Sequence, residues 1–94
     1  MTVLKRFHPS DVLKESPATS HATEACGLFS EGQIFLVENL KMPDGFCTSA
    51  WVSMYANVRL LSFGGDLPWI KEKGVAINCC TDGLRPVIFK LERI

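Results

Sequence analysis

A surplus of either charge is missing. Ten Lys and Arg offset ten Asp and Glu, and the formal net charge is zero. With no basic patch or stripe, the chain lacks the electrostatic footprint of a nucleic-acid binder, and its scattered cations make no membrane-surface patch. No apolar run approaches the roughly 18 residues that cross a bilayer. Residues 1–8 (MTVLKRFH) carry no long apolar stretch after their charges, as a signal peptide would. The expected compartment is therefore cytoplasmic, where thiols stay reduced. Internal repeats and low-complexity tracts are absent. So are the glycine patterns that cradle phosphates: Gly32, Gly45, Gly64, Gly65 and Gly83 fall at expected turns instead. Neither His8 nor His21 belongs to an H-E-x-x-H or H-x-x-x-H arrangement. The four cysteines form no C-x-x-C pair, and their separations of 21, 32 and 1 match no zinc-ribbon or ferredoxin spacing.

What is present is apolar. Hydrophobic residues make up 47% of a 94-residue chain, which reads as a single domain over residues 1–94. A chain of this size buries only about 60–65% of its unfolded surface. The apolar content exceeds that need, which points to a homo-oligomer whose interface takes the remainder.

Residues 2–7 read as a first strand without strict alternation, ended by His8-Pro9. Ser10 is the expected cap of a helix of one or two turns, stopped before Pro17. Residues 16–24 are a polar loop, in which His21 reads as solvated. Residues 34–37 (IFLV) form a short continuous apolar run, expected as a strand buried on both faces, one of them against another subunit. Residues 46–63 are the main helix. Cys47, Ala50, Trp51, Met54, Tyr55, Val58 and Leu61 recur at spacings of three and four on one face, Thr48 or Asp44 caps the start, and Gly64-Gly65 ends it. Residues 75–81 are a strand, Asp82-Gly83 signals a hairpin with a loop of about four residues, and Pro86 opens the return strand. Val87, Phe89 and Leu91 share one face of it. The fold class expected is α+β: three to four antiparallel strands, with a C-terminal β-hairpin, packed on one main helix.

Alternation along the first hairpin strand places Cys79 with Val75 and Ile77, toward the helix, and Cys80 on the opposite face. Cys26, Cys47 and Cys79 all lie at element ends, and their convergence would give a candidate metal set. Cys47 and Cys80 are the candidate nucleophiles. A thiol in the first turn of a helix lies at the positive end of the macrodipole, the placement that activates cysteines. The alternative for Cys47 and Cys79 is that they are small core hydrophobes, while Cys80 is an accessible thiol or, where an oligomer covers its face, interface filling. Arg85 is not required by the turn that explains Asp82. It would orient an anionic substrate, or pair with Glu92 or Asp66 of its own or a neighbouring chain. His8 or Asp82 would serve proton transfer. Trp51, Tyr55, Trp69 and Phe63 would line a ligand pocket between helix and sheet, with Trp69, after Pro68, as a lid or interface residue.

The motifs Cys26-x-x-Phe29-x-x-Gly32-Gln33, Met42-Pro43-Asp44-Gly45-Phe46-Cys47, Ala50-Trp51, Phe63-Gly64-Gly65-Asp66-x-Pro68-Trp69 and Cys79-Cys80-Thr81-Asp82-Gly83-Leu84-Arg85-Pro86-Val87-Ile88-Phe89 resemble an uncharacterised family of small bacterial and archaeal proteins of about this length. The resemblance spans residues 25–94. It implies that the cysteine motifs belong to a shared plan, and it implies no activity. Three functions are therefore carried forward: a module binding a metal or small organic ligand in a Cys/aromatic-lined site, a small enzyme using Cys47 or Cys80, and a structural oligomer subunit with cysteines as core filler.

Overall fold

The computed structural model describes residues 1–15, 17 and 23–94. His21 and most of the expected polar loop lie outside the described residues. Three strands, β1 (Thr2–Arg6), β2 (Val75–Cys79) and β3 (Val87–Glu92), make an antiparallel sheet of order β1-β3-β2. A four-residue helix α1 (Pro9–Val12) follows β1, and the 15-residue helix α2 (Thr48–Ser62) packs along β2. The α+β class and the C-terminal strand pair are as expected.

The missing alternation in β1 has a structural cause. Its register against β3 shifts between Val3 and Lys5, so Val3 is buried while Leu4 turns outward. His8, not Ser10, caps α1. Its Nδ1 accepts from the Ser10 amide at 3.1 Å, while Asp11 Oδ2 accepts from the His8 amide at 2.9 Å, a reciprocal box ahead of Pro9.

Residues 34–37 are not a strand buried on both faces. The chain is extended here and runs along the outer edge of β1: Gly32 N donates to Val3 O (2.7 Å), Val3 N to Gln33 O (2.9 Å) and Phe35 N to Met1 O (2.8 Å). Phe35 and Val37 turn inward, while Ile34 and Leu36 are 74% and 59% exposed. A run of four apolar residues hides the period of two, because only one of its faces meets the core.

The core is aromatic in the middle. Phe89, fully buried on β3, stacks edge-on against Phe29 with centroids 5.1 Å apart and tilted against Phe46 at 5.6 Å; Phe35 closes the group on Phe46 at 4.9 Å. Such geometry adds about 0.5–1.5 kcal/mol per pair beyond area burial. Helix α2 covers this cluster with Ala50, Met54, Val58 and Leu61, and β3 contributes Val87 and Leu91 from below. Phe46 precedes the helix rather than starting it.

The end of α2 is a Schellman motif. Gly65 N donates to Leu60 O at 2.9 Å and Gly64 N to Leu61 O at 3.0 Å, with Gly64 at φ +85°. Gly65 must be glycine for a different reason, since an added Cβ would lie 2.9 Å from the Leu60 carbonyl oxygen. Arg93 then ties this end to the sheet, donating to Leu61 O (3.1 Å), Gly65 O (2.7 Å) and Asp66 Oδ1 (3.1 Å), while Asp66 also accepts from Gly74 N at 2.5 Å.

Candidate functional site

At the other end of α2 the chain makes a pocket. Cys47 is the N-cap, in the extended conformation (φ −73°, ψ 122°) that the position requires. Thr48 and Asp44 do not take this role. The Cys47 carbonyl accepts from Trp51 N at 2.9 Å, but its side chain makes no capping bond. Among the described residues, none accepts a hydrogen bond from the amides of Thr48, Ser49 or Ala50, so the positive end of the helix faces outward uncapped.

Three segments converge on this helix start. Arg6 of β1 fixes the first, donating from Nη1 to the Cys26 carbonyl at 2.9 Å and from Nε to Glu31 at 2.7 Å. That bond to Arg6 holds the Glu31 carboxyl below the usual carboxylate range. The second is Phe46-Cys47-Thr48, anchored by Phe46 in the aromatic core. The third is the loop between β2 and β3. Cys80 N continues the ladder to Val87 O (3.1 Å), and Cys80 Sγ accepts from Val87 N at 3.3 Å. Asp82 Oδ1 accepts from Leu84 N at 2.9 Å, closing an Asx turn, and its Oδ2 faces Arg85 Nε at 3.4 Å. The loop is longer than the expected four residues, and Gly83 is not among the glycines with positive φ, so Asp82-Gly83 does not make a two-residue hairpin turn. The pocket, partly open to solvent, measures about 200 Å³ and is lined by Cys26, Leu28, Phe29, Cys47, Ser49, Ala50, Cys80, Thr81, Asp82, Arg85 and Val87.

The two adjacent cysteines are therefore reversed from the expectation. Ala76 and Asn78 face α2: Ala76 is fully buried, and Asn78 Oδ1 accepts from Asn57 Nδ2 at 3.0 Å. Cys80 follows them inward and packs against the core, whereas Ile77 and Cys79 face away. Size decides this against hydropathy. The helix approaches β2 closely, with Ser53 Oγ donating to Cys79 O at 2.9 Å, and small Ala76 permits that approach where Ile77 would not. The thiol of Cys79 is pushed up from its ordinary value, first by desolvation and then by the neighbouring Cys80 sulfur.

The set Cys26, Cys47 and Cys79 proposed for a metal is thus not brought together, since Cys79 leaves it and Cys80 enters the pocket. Among the described residues, no three His, Cys, Asp or Glu side chains are placed to hold a metal ion. Of the candidates for chemistry, Cys47, Cys80 and Arg85 line one pocket. His8 does not line it and lies 3.7 Å from Glu24 instead. The nearest carboxylate to Arg85 is Asp82, not Glu92 or Asp66, which approach Lys90 and Arg93. The aromatic lining is corrected too. Trp51 stacks on Phe46 and Tyr55 along the flank of α2, and Trp69 is 74% exposed on its loop. None of the three lines the thiol pocket.

Sequence reading missed Ser49 and Thr81 as pocket residues, although Thr81 adjoins Cys80 and Ser49 lies two residues after Cys47. It also missed a second concavity, an apolar groove of about 660 Å³ between residues 34–40, the end of α2 and the end of β3, where Phe63 lies. Among the described residues, no helix is long and apolar enough to cross a membrane. No protein-family profile, curated protein or solved structure matches this chain.

Proposed function

We propose that the protein is a small cytoplasmic ligand-binding module whose thiol-lined pocket takes a small organic molecule, or the end of one, bearing an anionic group. One observation carries the reading: three cysteines and one arginine from distant segments line a single pocket at an uncapped helix start. An anionic group would meet Arg85 and the free amides of α2, and the apolar part would rest on Leu28, Phe29 and Ala50. About 200 Å³ suits a fragment rather than a nucleotide or a drug-sized ligand.

The test is native mass spectrometry and thermal-shift screening of small carboxylates, with sulfate as the inorganic control and metal analysis of untagged protein alongside. Arg85→Gln should weaken a binding carboxylate about 10- to 100-fold, the loss of one charge-assisted hydrogen bond. Unchanged affinity in Arg85→Gln would remove the basis of the reading. Cys47 and Cys80 facing the same pocket support a second reading, a thiol-dependent enzyme in which one of them attacks a bound electrophile. Alkylation rates against pH test it, and two thiols no faster than a free thiol near neutrality would refute it. Self-association also belongs to the proposal. Exposed Ile34, Leu36, Phe63 and Ile77 leave more apolar surface uncovered than a lone domain of this size needs to show.

A further inference from the structure

The two edges of the sheet are treated differently. On the β1 side, residues 32–35 cover the edge with the hydrogen bonds given above. On the β2 side no segment among the described residues does, and β2 is the terminal strand of the order β1-β3-β2. Gly74 O accepts from Arg93 N and Cys80 N donates to Val87 O, so alternate residues 74, 76, 78 and 80 make the ladder to β3. The intervening residues, Val75, Ile77 and Cys79, therefore aim their backbone N–H and C=O groups away from the sheet. Among the described residues only one of these groups has a partner, the Cys79 carbonyl held by Ser53 Oγ. Exposed edges are normally blunted by a lysine, a proline or a bulge. The sequence of β2, VAINC, contains no charge and no proline, and its register against β3 is unbroken.

The row of α2 above this edge is also uncharged, although exposed Arg59 lies beside Val52 at its margin. A rotation of about 100° per residue aligns Ser49, Ser53, Ala56 and Leu60 in one row, with Val52 beside it. Ser53 and Asn57 touch β2, so this row overlooks the edge. It carries no charge, and Val52 is 68% exposed.

Resting on the reading that copies associate, we propose that a second copy docks on this edge, with β2 pairing antiparallel to β2 of the second copy about a two-fold axis at Ile77. In that register Ile77 faces Ile77 and Val75 faces Cys79 of the second copy. All are hydrogen-bonded positions, so each outward N–H meets an outward C=O, with Val75 N–H sharing the Cys79 carbonyl with Ser53 Oγ. A neutral strand meets itself without like charges, which a charged edge could not do. The uncharged row of α2 packs on its mate above the joined sheets. Only Val52, Leu60, Ile77 and Cys79 offer sizeable exposed apolar surface along this face, so the contact falls short of the ~800 Å² per partner of a standard-size interface. The dimer should therefore be concentration-dependent.

Sedimentation equilibrium over a wide concentration range, combined with amide exchange, tests this. The mass should rise from 10.4 kDa toward twice that value. The Ile77 amide should exchange at least tenfold more slowly at high concentration than at low, whereas the Ala76 and Asn78 amides stay protected throughout. Ile77→Lys should weaken association at least tenfold, and Leu36→Glu, in the apolar groove, should leave it unchanged. A mass of 10.4 kDa at every concentration overturns this interface and the self-association reading together. A dimer lost in Leu36→Glu but kept in Ile77→Lys, or an Ile77 amide that exchanges freely in the dimer, overturns the edge interface alone.

Discussion

Replacing Cys47 by serine and by alanine separates stability from binding at the start of α2. Cys47 has the backbone angles of an N-cap but donates no side-chain acceptor to the amides beyond it. Serine is nearly isosteric with cysteine, and its oxygen reaches the amide of the second or third helical residue from this position. Both variants lose the sulfur that packs against the core, so their difference reports the cap. Cys47→Ser should be more stable than Cys47→Ala by about 1 kcal/mol, within a range of roughly 0.5–2. For a domain of this size that is a difference in Tm of about 4–8 °C per kcal/mol. Urea titrations followed by fluorescence of Trp51 and Trp69 measure it, with equal slopes for both variants showing that the unfolded reference is unchanged. The same serine oxygen occupies amides assigned to the ligand, so a carboxylate should bind Cys47→Ser more weakly than the wild type. Equal stability of the serine and alanine variants would mean the helix start already has a partner. A stabilised serine variant with undiminished binding would move the ligand away from the helix.

Gly65→Ala should lose about 1–3 kcal/mol in the same titrations, because the new Cβ meets the Leu60 carbonyl at 2.9 Å and the Schellman bonds must give way; a neutral outcome would show that this turn relaxes freely. Asp66 is held below the usual carboxylate range, chiefly by the Gly74 amide and then by Arg93. A carboxyl depressed in the folded state adds stability above its unfolded pKa and loses it as pH falls through the folded value, so the contribution should be full above about pH 5 and fade below about pH 4. Asp66→Asn should flatten this acid limb of a stability–pH profile, and an unaltered limb would count against the clasp. Cys79 is the exposed thiol of the adjacent pair but is pushed up by desolvation and by Cys80. Its alkylation, followed by peptide mass spectrometry, should rise with pH beyond the range of a free thiol, and rapid labelling at pH 7 would contradict that environment.

Much of the fold is legible without coordinates because it rests on short-range patterns. The three- and four-residue spacing from Cys47 to Leu61 requires a helix, Gly64-Gly65 stops it, and Val87, Phe89 and Leu91 alternate on one strand face. The site is legible only in part. Cys47 and Arg85 were identifiable as chemically unusual for their positions. The choice between Cys79 and Cys80 was not, because alternation says that they differ and not which one is inside.

Composition and periodicity by themselves determine an α+β chain with one long helix, a C-terminal pair of strands and cysteines near element ends. Tertiary structure decides the phase of each pattern. Ala76, being small, lets α2 close on β2 and carries Cys80 inward with it. Residues 34–37 become one-sided because the sheet edge they follow has a core on one face alone. The meeting of Cys26, Cys47, Cys80 and Arg85 depends on contacts among segments far apart in the chain, and a period of two or of 3.6 carries no information about those contacts.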